Sequence, residues 1–144
     1  VTRRVLGVAI FAAAIISCKS DGSDVGGVRV TRAGTGYAIS LSHAKATPGG
    51  SATASLRVVG KQGFKINVPY PHTVVTFAPS AGVDVRQSLD AGAAAANTES
   101  ELRFAVPFQA RTGAGAVGVS VKFSVCNDTE CLTPTETFEW KPLE

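Results

Sequence analysis

From residue 37 onward, apolar and polar side chains take turns along the chain, and the alternation is kept from one segment to the next. In YAISLSH, Tyr37, Ile39 and Leu41 alternate with Ala38, Ser40 and Ser42. In SATASLRV, Ala52, Ala54, Leu56 and Val58 alternate with Thr53, Ser55 and Arg57. A period of two puts one set on each side of an extended chain, so both segments predict strands with one buried face. FKINV repeats the pattern with Phe64, Ile66 and Val68, and VDVR repeats it with Val83 and Val85. In ELRFAVPFQ, Leu102, Phe104, Val106 and Phe108 share a face, while Pro107, which has no N–H to give a ladder, predicts an edge or a bulge. The longest run, AVGVSVKFSVC, directs Val117, Val119, Val121, Phe123 and Val125 inward, and the same parity puts Cys126 on the polar face. TETFEW then resumes with Phe138 and Trp140 inward.

Turn-rich connections separate these runs: TPGG at 47–50, PYPH at 69–72, APSAG at 78–82 and RTGAG at 111–115. Short alternating segments with such punctuation predict an all-β, antiparallel sandwich of about seven to nine strands. AGAAAAN, at 91–97, is long enough for a helical turn but lacks an amphipathic face, and it reads as a loop.

The N-terminal stretch VTRRVLGVAIFAAAIISC is patterned differently. Arg3 and Arg4 precede an apolar run from Val5 to Ile16, and Ser17 stands immediately before Cys18. The run falls short of the ~20 residues that span a bilayer, and its layout is that of a signal peptide. Ile15, Ile16, Ser17 and Cys18 resemble a bacterial lipobox, in which the cysteine is acylated and heads the mature protein. The expectation is a lipoprotein signal peptide over residues 1–17, a lipidated Cys18 opening a flexible tether over residues 18–34, and the sandwich over 35–144. The tether reading rests on the polar, glycine-rich KSDGSDVGG. The protein is then expected on the periplasmic side of the bacterial cell envelope, attached to the membrane through lipid. An ordinary cleaved signal with an incidental Cys18 is the alternative.

Charge changes the picture little. The full chain carries +3, but loss of Arg3 and Arg4 lowers 14 Lys and Arg to 12 against 11 Asp and Glu, leaving about +1. No cluster of Lys and Arg is interleaved with aromatic residues, which argues against nucleic acid as a partner.

The candidate chemistry sits in SVCNDTECLTP, where Cys126 and Cys131 are separated by Asn127, Asp128, Thr129 and Glu130. In an oxidising compartment the default is a structural disulfide. The chain-entropy estimate for so short a loop is only ~2 kcal/mol, so the domain is expected to fold without it. A short surface disulfide is also one that another thiol can reach and exchange with. Against an unaided attacking thiol, Asp128 and Glu130 disfavour thiolate, and no Lys, Arg or His adjoins either cysteine in sequence. Metal ligation by Cys126, Cys131, His43 and His72 matches no zinc spacing, and no base is positioned for a hydrolytic cysteine. No metal and no cofactor is therefore assigned, and the structural and redox readings both stand.

The run VKFSVCNDTECLTP resembles the cysteine segment of the N-terminal domain of the thiol:disulfide interchange protein DsbD family, through Cys126, Asn127, Asp128, Cys131, Leu132 and Pro134. GFKINVPYPHTVVTF, at 63–77, is similar to a second stretch of that family, and the resemblance extends over roughly residues 35–142. It implies an immunoglobulin-like sandwich. It also implies that Cys126 and Cys131 act as the catalytic pair, exchanging dithiol and disulfide with a thioredoxin-like or membrane electron-transfer protein and with oxidised periplasmic proteins. Thr133 stands where the family often has a second proline, and the family's membrane-embedded and thioredoxin-like domains have no counterpart in these 144 residues, so partners on other polypeptides are expected. The alternative is a non-enzymatic envelope module in which the same disulfide is only a staple.

Overall fold

The computed structural model describes residues 27–144. Within them thirteen strand segments form, all paired antiparallel. They are β1 (Val28–Gly34), β2 (Tyr37–His43), β3 (Ser51–Gly60), β4 (Lys65–Ile66), β5 (Val74–Phe77), β6 (Val83–Val85), β7 (Ser88–Asp90), β8 (Ala96–Asn97), β9 (Leu102–Ala110), β10 (Val117–Lys122), β11 (Val125–Cys126), β12 (Cys131–Leu132) and β13 (Thr135–Trp140). One sheet has the order β1-β2-β3-β9-β6, with β8 also on β9; a second has the order β13-β10-β5-β7; a small third sheet has the order β12-β11-β4. The stretch at 91–97, expected as a loop, holds a 3-10 turn at Ala91–Ala93 and then β8.

The alternation is what builds the core. Ile39 and Leu41 of β2, Ala54, Leu56 and Val58 of β3, and every second residue of β9 from Leu102 to Ala110 are buried on the inner face of the first sheet. Val75, Phe77, Val117, Val119, Val121, Phe138 and Trp140 are buried on the second, and all belong to one apolar cluster. Burial of this kind supplies the main driving force, at roughly 25 cal/mol per Å² of apolar surface. The segments outnumber the seven to nine expected because one run divides between two sheets and because β1 and β8 form where a tether and a loop were expected. Residues 117–125 are β10 in the second sheet and β11 in the third, joined through Phe123 and Ser124. Phe123 and Val125 stay fully buried, so the parity carries across the change of sheet.

The last part of the tether expected over residues 18–34 is strand instead, while residues 18–26, like the signal peptide expected over 1–17, lie outside the described residues. Residues Val28–Gly34 are β1, paired residue for residue with β2 from Val28 opposite His43 to Gly34 opposite Tyr37. Only Val28 and Val30 of this edge strand are partly buried, which left too weak an alternation beside the glycine-rich sequence before it. The β1–β2 turn needs glycine at position 36, where φ is +81° and a Cβ would meet the Phe64 ring at 2.6 Å.

Pro107 is on neither an edge strand nor a bulge, since β9 lies between β3 and β6 and keeps its register with β3, but it falls in a gap on the other side of β9. Arg103 C=O accepts from Ala95 N–H and Arg111 N–H donates to Gly82 C=O, so the main-chain polar groups of odd-numbered residues in β9 face away from β3. Pro107 lies between the stretch paired with β8 and the stretch paired with β6, and its missing N–H interrupts no ladder bond.

Two polar contacts cross the core. The Trp140 indole N–H donates to His43 Nε2 at 3.0 Å, and His43 Nδ1 lies 2.8 Å from the Ala44 carbonyl, so both ring nitrogens are engaged. The Tyr37 hydroxyl donates to Glu136 of β13, and its ring meets Phe123 edge-on. Burial, then the hydrogen bond and the charge of Glu136, push the Tyr37 phenol up to about 12 from 10.0. With the folded value above the unfolded one, this contribution is complete below about pH 10 and is lost as pH rises through about 12. Denaturant unfolding of the native protein is therefore expected to show stability falling between those limits, and Tyr37→Phe to lack that part of the fall.

Candidate functional site

The hairpin of β11 and β12 is set by a side chain. Asn127 Oδ1 accepts hydrogen bonds from Thr129 N–H at 2.9 Å, Glu130 N–H at 2.8 Å and the Thr129 hydroxyl at 3.1 Å, while Asn127 N–H donates to Glu130 C=O at 2.9 Å. An asparagine that bonds the backbone two and three residues on makes the turn itself. The next pair along the ladder is Cys126 opposite Cys131, joined by a disulfide with a Cα separation of 4.0 Å. Since Asn127 and Glu130 are the bonded pair, Cys126 and Cys131 form the closer, non-bonded pair, where side chains approach most nearly.

Alternation then settles which face the sulfurs occupy. Val125 is fully buried and its opposite number Leu132 packs on the core, so Cys126 and Cys131 point the other way. Cys131 is exposed on the open edge, and Cys126, in the central strand, is half-buried. On the far side, β4 pairs Val125 with Ile66 and Cys126 with Lys65. Ile66 is buried and Lys65 exposed. Cys131, Cys126 and Lys65 thus form a row across three strands on the solvent face, over a row of Leu132, Val125 and Ile66 on the core face.

Strand β4 is only two residues long and is held by its surroundings. Asn67 N–H donates to Ser124 C=O at 2.9 Å, Asn67 Nδ2 donates to the Ser124 hydroxyl at 3.2 Å, and Ile66 N–H donates to Glu99 C=O at 3.0 Å. Glu99 sits in a turn closed by Thr98 N–H to Glu101 C=O at 2.9 Å. The turn is tied to the first sheet by Arg57 Nε to Glu101 Oε2 at 2.7 Å, and that bond holds the Glu101 carboxyl below its ordinary value. Glu99 Oε2 in turn lies 3.5 Å from Lys65 Nζ. Beside the disulfide these groups border an open groove of about 330 Å³, lined by Lys65, Asn67, Pro69, Glu99, Cys126 and Asp128 among others.

Of the residues singled out in the sequence, Cys126 and Cys131 come together, and Cys18 lies outside the described residues. The histidines are engaged elsewhere: His43 is buried against Trp140 and Phe108, and exposed His72 meets Tyr70 edge-on with ring centroids 5.6 Å apart. Among the described residues no three His, Cys, Asp or Glu side chains group as metal ligands. Lys65 was missed. Its outward parity was readable from Phe64 and Ile66, but its place beside Cys126 depends on a pairing between residues 61 positions apart in sequence. The two stretches GFKINV and VKFSVC, noted separately in the sequence, are adjacent strands of this small sheet.

No protein-family model matches the chain, and no curated protein does. Among solved structures, the GAE domain of GGA2p from Saccharomyces cerevisiae superposes with a TM-score of 0.50 at 10% identity, covering 80% of this chain and 99% of that one. The GAE domain of yeast GGA1 gives 0.49 at 9% identity, covering 79% and 99%. The first of these likenesses, with the antiparallel sheets described above, makes the chain an immunoglobulin-like β-sandwich. It bears on the fold alone.

The Asn127 contacts yield a local prediction. Asn127→Ala is expected to lower stability by about 1 kcal/mol. Amide hydrogen exchange should quicken at Thr129 and Glu130 and stay slow in β9 and β10; equal loss of protection in both regions would contradict a role confined to the hairpin.

Proposed function

We propose that this protein is a lipid-anchored domain of the bacterial cell envelope that exchanges the Cys126–Cys131 disulfide with protein partners, accepting electrons from a thioredoxin-like or membrane electron-transfer protein and passing them to oxidised periplasmic proteins. The observation that carries the reading is the position of the pair: a disulfide on the solvent face of a three-stranded edge sheet, away from the apolar cluster, with Cys131 exposed. Exposed disulfides are the ones that exchange, and this one closes so short a loop that it adds only ~2 kcal/mol to folding. The cysteine segment's resemblance to the DsbD N-terminal domain supports the same chemistry. The lipid anchor rests on the pattern of residues 1–18 and serves to hold the domain at the membrane surface where its partners are concentrated.

The exchange is written as two displacements. A partner thiolate attacks Cys131 Sγ, the Cys126–Cys131 bond breaks, and its electron pair goes to Cys126 Sγ. The partner's second thiolate then attacks the mixed disulfide and releases Cys131, so the partner is oxidised and this domain is reduced by two electrons. The reduced pair gives those electrons to an oxidised protein by the same steps in reverse.

The test is the reduction potential of the pair, measured on the purified protein in thiol buffers with free thiols trapped and the fold monitored. A potential between about −120 and −270 mV, with the domain folded when reduced, is expected. A value below about −300 mV, or reduction only on unfolding, would leave a non-enzymatic envelope module with a structural staple.

A further inference from the structure

We propose that Lys65 is the cation that stabilises the Cys126 thiolate when the disulfide opens, and that Glu99 restrains it until then. The proposal rests on the exchange reading above and assigns that site a positioning residue. Lys65 and Cys126 are directly opposite in the β4–β11 ladder and share the solvent face. Such residues have Cβ atoms ~4.5–5.5 Å apart, within reach of a four-carbon ammonium side chain.

In the disulfide the sulfur carries no charge, and Lys65 Nζ lies 3.5 Å from Glu99 Oε2. Both side chains of that pair are largely exposed, at 69% and 72%, so the contact is weak and easily redirected. When a partner thiolate bonds to Cys131 Sγ, the electron pair of the broken bond arrives on Cys126 Sγ, beside Lys65. The other charged groups at this place are anionic. Glu99 comes from the turn before β9, Asp128 lines the groove with Cys126 and Lys65, and Glu130 adjoins Cys131 in the hairpin. Of the charged side chains lining the groove with Cys126, Lys65 is the cation and Glu99 and Asp128 are anions. A better stabilised thiolate leaves faster, so Lys65 acts on the opening of the disulfide as well as on the reactivity of the free thiol.

The experiment isolates Cys126 as a free thiol in the full chain with Cys131→Ser. Iodoacetamide alkylation at Cys126 is followed by peptide mass from about pH 5 to about pH 10. Lys65→Gln is expected to move the profile to higher pH and slow alkylation at neutral pH roughly three- to tenfold. Lys65→Arg should restore it, and Glu99→Gln should speed alkylation. An unchanged profile in Lys65→Gln, or the same direction of change in Lys65→Gln and Glu99→Gln, overturns the proposal. Should Cys131→Ser fail to fold, the reduced native chain is alkylated and Cys126 is resolved from the other cysteines by its peptide. Because alkylation needs no exchange partner, failure of the exchange reading appears in the reduction potential and leaves this measurement intact.

Discussion

The inward position of Val125 governs everything at the candidate site. A strand offers its residues alternately to its two faces, and the chain keeps Val117, Val119, Val121, Phe123 and Val125 in the core although it leaves one sheet for another between Lys122 and Val125. Once Val125 is inward, Cys126 must be outward, and the antiparallel partners on either side, Cys131 and Lys65, must join it. A slip of one residue in any of the three short strands would bury sulfur and ammonium and expose valine or isoleucine. The chemistry at the surface is thus specified by packing beneath it.

How far the sequence disclosed this follows from the range of each interaction. Period-two burial is local, so the faces of β2, β3, β9, β10 and β13 were readable residue by residue, as was the outward parity of Cys126. Strand β1 was not, because an edge strand with two half-buried valines has little apolar contrast, and its evidence is its pairing with β2. The sheet change at Phe123 and Ser124 was hidden for the opposite reason: the alternation runs through it unbroken. Lys65 had the right parity but no legible partner. His43 was weighed in the sequence only as a metal ligand, and its two nitrogens are engaged with Trp140 and the Ala44 carbonyl.

The fold and the site draw on separate resources. The first two sheets meet over a continuous apolar cluster reinforced by the Tyr37–Glu136 and Trp140–His43 contacts. The hairpin carrying the disulfide instead has a turn closed by Asn127 and an adjoining strand fastened by Asn67 to Ser124. None of these contacts is made by a sulfur atom, which is the separation that the proposed exchange requires.

The position of Pro107 has a consequence for how molecules of this protein behave beside one another. Between the part of β9 covered by β8 and the part covered by β6, the outward-turned main-chain groups belong to Ala105 and Pro107, and Pro107 has no N–H. A strand from a second molecule approaching that gap would find a single donor, too little to seed a ladder. The longest strand but one of the sandwich is in this way made unattractive to its neighbours along that gap, and the longer open edge of the same sheet is the one that β1 presents.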